Sequence, residues 1–276
     1  MTHLPDEFQF SQGSLQDYVD CPRRFQLRYV EQVAWPAVQA EPVSDSERYQ
    51  QQGEAFHRLV HQHLVGLPAE RLTSTVADVE LRAWWHSYLQ QGPSDLPPAR
   101  YPEIGLSAPL AGARLVAKFD VVAIAPGERA VIVDWKTSHH RLRRRWLSER
   151  LQTRVYPYLL VRAGAHLNGG RPIHPEQVAM VYWFANFPSE PERFGYDAQQ
   201  YEAGEGYLEG LIAHIRGQEG EFAMTDDERR CKYCVYRSLC GRGVQAGTMR
   251  EMEEEPEAGD VPNFDFDFEQ VAEIEW

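Results

Sequence analysis

The stretch VIVDWKTS ends in Asp134 and Lys136, two positions apart on what reads as a β-strand. Alternation puts them on one face and Val131, Val133 and Trp135 on the other. Alone, such a pair is ordinarily an ion pair on a sheet face. Asp120 changes the reading. It lies in the preceding strand, on the face expected to carry Lys118 and Val122, and the short connection APGE folds that strand back beside Asp134. Two carboxylates so close repel unless a cation lies between them, and hard oxygen donors with room for water suit Mg²⁺ or Mn²⁺. An ammonium at Lys136 would position or activate an attacking water and neutralise charge building on phosphorus, which is the chemistry of phosphodiester hydrolysis. Of 28 basic residues only Lys118, Lys136 and Lys232 are lysine, so a tunable point charge at 136 stands out in an arginine-using chain. Glu103, in the first strand of this region, could hold a water or a second metal, although a lone acid is more often a surface residue.

Positioning these groups requires a sheet with helices around it. YPEIGLSAPL, ARLVAKFDVVAI and RAVIVDWK are β-rich runs joined by short turns, which suits an antiparallel meander, and QVAMVYWFAN supplies a fourth strand. Helical periodicity covers residues 46–65, about 76–91, 146–163 and 198–217. The segment SQGSLQDYVDCPRRFQLRYV predicts a helix capped by Ser11 or Ser14 and interrupted at Cys21-Pro22. Pro157, inside the 146–163 pattern, predicts a kink or a break. The order makes an α/β sandwich. There is no ATP-binding P-loop, so any motor must be another protein.

The four cysteines are Cys21, Cys231, Cys234 and Cys240, the last three spaced C-x₂-C-x₅-C. A chain without a signal-peptide layout or a long apolar run reads as cytoplasmic and not membrane-bound, which disfavours disulfides. Four thiolates suit tetrahedral zinc or a cubane iron–sulfur cluster, and spacing alone leaves both open.

The formal net charge of −13 is uneven, because residues 251–276 carry eleven acids and no base, leaving the body near −2. That tail reads as a disordered solubilising segment, with a partner-binding strand presenting Phe264, Phe266 and Phe268, or a mimic of DNA in a basic groove, as alternatives. The run RLRRRW places Arg141, Arg143, Arg144 and Arg145 just after the Asp-Lys pair. It is a solvated face or a phosphate-binding patch.

Taken together these residues resemble the PD-(D/E)XK nucleases, in particular the RecB-like exonuclease branch with an iron–sulfur cluster that includes AddB-type nucleases and CRISPR-associated exonucleases. The resemblance spans residues 9–242. It implies that His57 of GEAFH, Asp120 and Asp134 hold Mg²⁺ or Mn²⁺ and that Lys136 is the catalytic cation. It also implies that Gln152 and Tyr156 of QTRVY line the DNA path beside the centre, with Arg154 among the DNA contacts. In that branch one cysteine precedes the core and a C-x₂-C-x₅-C group follows it. Cys21, in the Cys-Pro-x-x-Phe element CPRRF, and Cys231, Cys234 and Cys240 are therefore the implied ligands of a 4Fe-4S cluster, with Arg23, Arg24, Arg229 and Arg230 beside it.

The implied fold is restriction-endonuclease-like, α-β-β-β-α-β, a mixed sheet flanked by helices, with a helical iron–sulfur subdomain built from residues 1–45 and 220–245. The nuclease core is residues 46–200, within a single domain 1–250. The implied activity is a DNA exonuclease on single strands or ends in repair, recombination or CRISPR adaptation, with a helicase or integrase partner for the tail. A non-catalytic DNA-binding or scaffolding module is the rival from another class.

Overall fold

In the computed structural model, residues 3–5, 7–33 and 41–243 are described. The acidic tail, with the roles expected of it, lies outside them. The elements run β1 (Gln9–Ser11), α1 (Gln12–Asp20), α2 (Pro22–Phe25), a π-helical turn (Gln26–Val30), α3 (Glu41–Leu64), α4 (Ala69–Thr73), α5 (Val79–Gln91), β2 (Ala99–Leu110), β3 (Ala113–Ala125), β4 (Arg129–Lys136), α6 (Arg144–Glu149), α7 (Leu151–Ala163), β5 (Val178–Phe184), β6 (Glu192–Gly195), α8 (Ala198–Arg216) and α9 (Glu228–Cys231). No helix among the described residues is long and apolar enough to cross a membrane.

β2, β3 and β4 form the antiparallel meander, β5 joins β4 in parallel, and β6 closes the far edge antiparallel to β5. The mixed sheet thus has helices on both faces. Every residue of β5 (VAMVYWF) is buried, as a strand covered on both sides must be. On one face α1, α7 and α8 pack through Leu15, Val155, Leu159, Leu208 and Ile212 against Phe119, Ile132 and Tyr182. On the other, α3, α4 and α5 bring Phe56, Val60, Leu72, Trp84 and Trp85 against Val121, Val131, Val133, Trp135 and Trp183.

The edge of β3 that faces away from β2 is shared. β1 pairs in parallel with residues 114–116 and β4 antiparallel with residues 121–125, leaving residues 117–120 without a strand partner on that edge. This notch in the sheet is where the acids collect.

Several local expectations meet their physical reasons here. Ser11 and Ser14 cap α1 reciprocally, each hydroxyl accepting from the other's backbone N–H, at 2.9 and 3.1 Å. Cys21 is extended, with φ −163°, and Pro22 restarts the chain as the first residue of α2. The pattern over 146–163 is two helices, because Arg150 turns extended between α6 and α7. Pro157 neither breaks nor ends α7, which continues to Ala163. Buried packing around it holds the helix despite the lost donor.

Candidate active site

β3 and β4 part company at the site. Their last rung is Val121↔Val133, so the next would set Asp120 opposite Asp134. That rung is replaced by a side chain, because Asp120 Oδ2 accepts the backbone N–H of Trp135 at 2.8 Å. Asp120 Oδ1 lies 3.2 Å from His57 Nδ1 on α3.

The alternation of β3 shifts at this point. Phe119 and Val122 both pack toward α7, while Val121 packs toward α3. Asp120 therefore leans to α3 with Val121 and does not share a face with Val122, contrary to strict alternation. β2 shifts in step: Tyr101 and Ile104 both pack toward α7, and Glu103 between them has φ +53°. For a residue with a Cβ that conformation costs on the order of 1–3 kcal/mol, and such strain gathers at functional sites. The rungs Pro102↔Val121 and Ile104↔Phe119 bracket Glu103, so it sits level with Asp120 across β2 and β3.

Among the described residues, His57, Glu103 and Asp120 form one group able to hold a metal, with donor atoms within 4.8 Å of one another. Two hard oxygens and an imidazole suit a divalent cation of the Mg²⁺ or Mn²⁺ kind. Glu103 is no surface residue, its side chain being 18% exposed and 2.6 Å from Lys118 Nζ.

Asp134, expected as a metal ligand with His57 and Asp120, and Lys136 sit on the α7 side, and Glu103 takes the third place in the group just described. Gln152 Nε2 donates to Asp134 Oδ1 at 2.6 Å, its Oε1 accepts from Lys136 Nζ at 3.2 Å, and that ammonium lies 2.8 Å from Asp134 Oδ2. One amide thus fixes both charged groups. Tyr156, a turn further along α7, donates its hydroxyl to the carbonyl of Lys118 at 3.0 Å, inside the notch. Gln152 and Tyr156 are both about 5% exposed, so they hold the site together from beneath.

Burial works against a charged His57, but Asp120, aided by Asp134 and Glu103, outweighs it and raises the imidazole pKa. Asp120 feels the same burial, yet His57, the Trp135 N–H and Lys136 hold its carboxyl below the ordinary value. Asp134 goes the other way, raised chiefly by burial and further by Asp120, with Lys136 and His57 offsetting only part. A cation bound by His57, Glu103 and Asp120 would add positive charge beside these acids.

Four of the five arginines proposed for DNA have partners within the chain. Arg141 and Arg144 both bind the nearly buried Glu192, and Arg145 binds Glu149 at 3.1 Å on one exposed helix face. Arg154 lies 4.1 Å over the Tyr207 ring, and Arg143 is exposed.

Cys21, Cys231, Cys234 and Cys240 are free thiols lining one cavity, with Arg24 and Arg230. Burial, then the neighbouring cysteines, raise the thiol of Cys231. Arg24 and Arg230 both bind Asp20, whereas Arg23 turns to Glu31 and Arg229 to Asp227.

Sequence reasoning undervalued Glu103 and passed over Lys118 as a partner of the site. Lys118 had a signal, as one of three lysines beside an acid. Glu103 owes its place to strand register.

A family model described as the PD-(D/E)XK nuclease superfamily matches residues 9–241. This chain belongs to the PD-(D/E)XK nuclease superfamily. Membership implies a metal-dependent nuclease, in keeping with the His57, Glu103 and Asp120 group. No curated protein matches the chain. Among solved structures it is similar to a protein of Eubacterium rectale named "Putative exonuclease", at 10% identity and a TM-score of 0.53, over 90% of this chain and 93% of that one. It also matches SSO0001, at 14% identity and a TM-score of 0.41, over 88% and 90% of the two chains. At such identities the PD-(D/E)XK chain shares a fold with the first, and its chemistry must be argued from its own residues.

Proposed function

We propose that this PD-(D/E)XK chain is a Mg²⁺- or Mn²⁺-dependent deoxyribonuclease that acts as an exonuclease on single-stranded DNA or DNA ends, in repair, recombination or CRISPR adaptation. The supporting observation is the juxtaposition of two constellations at one notch: His57, Glu103 and Asp120 from one side, and Asp134, Lys136 and Gln152 from the other. The bound cation would neutralise phosphate charge and make a nearby water more acidic. Asp134, held by Gln152, keeps the Lys136 ammonium in place, where it can donate to a phosphate oxygen or orient the incoming water. Asp120, fixed by the Trp135 N–H, would hold the cation with its other oxygen beside His57.

The four cysteines would hold a 4Fe-4S cluster. All four line one cavity with Arg24 and Arg230, and their spacing resembles that of the iron–sulfur branch. The cluster would tie α2 to the C-terminal segment across about 210 residues of sequence and close the fold.

The test is digestion of end-labelled linear and circular single-stranded DNA by anaerobically purified protein with Mn²⁺ or Mg²⁺. Linear substrate should be degraded from its ends, the circle spared, and Asp134→Ala and Lys136→Ala should be inactive. Intact linear DNA, or mutants as active as wild type, overturns the nuclease reading. Iron and sulfide analysis with visible absorption tests the cluster, and stoichiometric zinc without iron overturns it.

A further inference from the structure

Gln152 can hold Asp134 and Lys136 only if the first turn of α7 is itself held. Thr153 ties that turn to the Leu147 carbonyl at 2.5 Å and to the Tyr182 hydroxyl at 2.6 Å, but the backbone N–H of Leu151 needs an acceptor of its own. The residue before the helix, Arg150, makes no side-chain cap. The cap comes from α1, where Gln16 Oε1 accepts the backbone N–H of Leu151, the first residue of α7, at 3.1 Å. Gln16 is 6% exposed, and its amide nitrogen donates to Asp20 Oδ1 at 3.0 Å. A buried glutamine spanning two helices has its rotamer fixed at both ends, and the penalty for leaving the Leu151 donor dry is what locks the turn.

Asp20 is in turn held from the cysteine cavity. Arg230 binds its Oδ1 and Arg24 its Oδ2, the latter at 3.0 Å, and both arginines line the cavity. Arg150 approaches the same carboxylate at 4.0 Å. A continuous path thus leads from the cysteines through Arg230, Asp20 and Gln16 to Leu151, and one residue on to Gln152.

We propose that Gln16 is a positioning residue for the catalytic pair, setting the first turn of α7 so that Gln152 reaches Asp134 and Lys136, and that Asp20 with Arg230 makes this setting depend on the cysteine cavity. The catalytic consequence rests on the nuclease reading, while the positioning itself does not. Gln16→Leu keeps the shape and removes the acceptor. Arg230→Ala releases Asp20 on the cavity side without touching a cysteine or the site.

The chain has only three lysines, so Lys136 can be followed by mass spectrometry during brief amine acylation, normalised to the denatured protein. In wild type, Asp134 and Gln152 shield the ammonium. Gln16→Leu should acylate Lys136 about tenfold faster and lower kcat about as much with KM for DNA little changed, because misplacing a catalytic group acts on the chemical step. Arg230→Ala should shift Lys136 in the same direction by less, and the double variant should not exceed Gln16→Leu. Gln16→Glu with Asp20→Asn restores an acceptor for Leu151 and a donor opposite it, and should recover most of the shielding. Asp78→Ala, which removes the N-cap of α5, controls for lost stability and should leave Lys136 as in wild type.

Wild-type Lys136 reactivity in folded Gln16→Leu overturns the positioning role, as does an equal rise in Asp78→Ala. Additive effects of Gln16→Leu and Arg230→Ala overturn the path from the cavity. If wild-type protein cleaves no DNA in a Lys136-dependent way, the nuclease reading falls and the acylation result still decides the positioning.

Discussion

Asp120 stands in for a strand. Its Oδ2 accepts the N–H of Trp135 at 2.8 Å where the ladder between β3 and β4 has ended, so one carboxylate both finishes the sheet and faces His57 with its other oxygen. These roles can be separated. Asp120→Asn retains an oxygen that Trp135 can reach, whereas Asp120→Ala leaves that N–H unsatisfied. The alanine variant should unfold about 1–3 kcal/mol more easily than the asparagine variant in urea. Both should lose cleavage by about 10²-fold or more, since the charge facing the cation is gone in each. An asparagine variant of near-normal activity overturns the metal-facing role.

Gln152 and Tyr156 share a helix face but serve different ends. Gln152→Ala frees Lys136 and Asp134 from their common anchor, and should lower kcat about 10–100-fold with little change in KM. Tyr156→Phe removes only the hydroxyl that bonds the Lys118 carbonyl, and should cost about 1 kcal/mol of stability with a small effect on rate. Steady-state kinetics and urea unfolding of both proteins check the division.

The raised His57 pKa gives opposite pH trends with and without metal. In EDTA the protonated imidazole is favoured by folding. Its contribution is fully present below the ordinary value of about 6.5 and is lost as pH rises through the folded value. The difference in Tm between wild type and His57→Gln should therefore narrow with rising pH. With Mn²⁺ the cation must displace that proton, so Mn²⁺ affinity should strengthen over the same interval. Calorimetric scans and titrations across neutral pH measure both, and parallel trends contradict the assignment.

Asp78 caps α5, accepting from the backbone N–H groups of Glu80 and Leu81 at 3.0 Å each, and chiefly the Leu81 bond holds its carboxyl below the ordinary range. Asp78→Ala should cost about 1 kcal/mol and a few degrees of Tm. That stabilisation is present above the unfolded-state pKa and lost as acid protonates the folded carboxyl. Activity per folded molecule should be unchanged.

Much of this arrangement was legible in the chain, and the illegible part has a common cause. The meander, the presence of a fourth strand and the facing of Asp134 and Lys136 follow from period and turn length, which are local, whereas the parallel pairing of that strand does not. Asp120 was placed beside Asp134 by the short hairpin, but strict alternation gave it the wrong companion in Val122, because alternation has no term for a shift shared by two strands. Glu103 was undervalued for the same reason: its importance lies in being level with Asp120 and in its left-handed backbone, and neither shows in one strand's sequence. β1 and β6, three and four residues long, are too short to carry a period. Pro157 marks the limit of propensity, since a helix buried on this scale keeps its course through a proline. Gln16 is 135 positions from Leu151 and reaches it only through tertiary packing.

His57 reaches the notch from the helical layer on one face of the sheet and Gln152 from the layer on the other, while Glu103, Asp120, Asp134 and Lys136 stand on the strands between them. Neither helical layer docked alone completes the constellation, so the full set of groups comes together only when both layers have closed on the finished sheet.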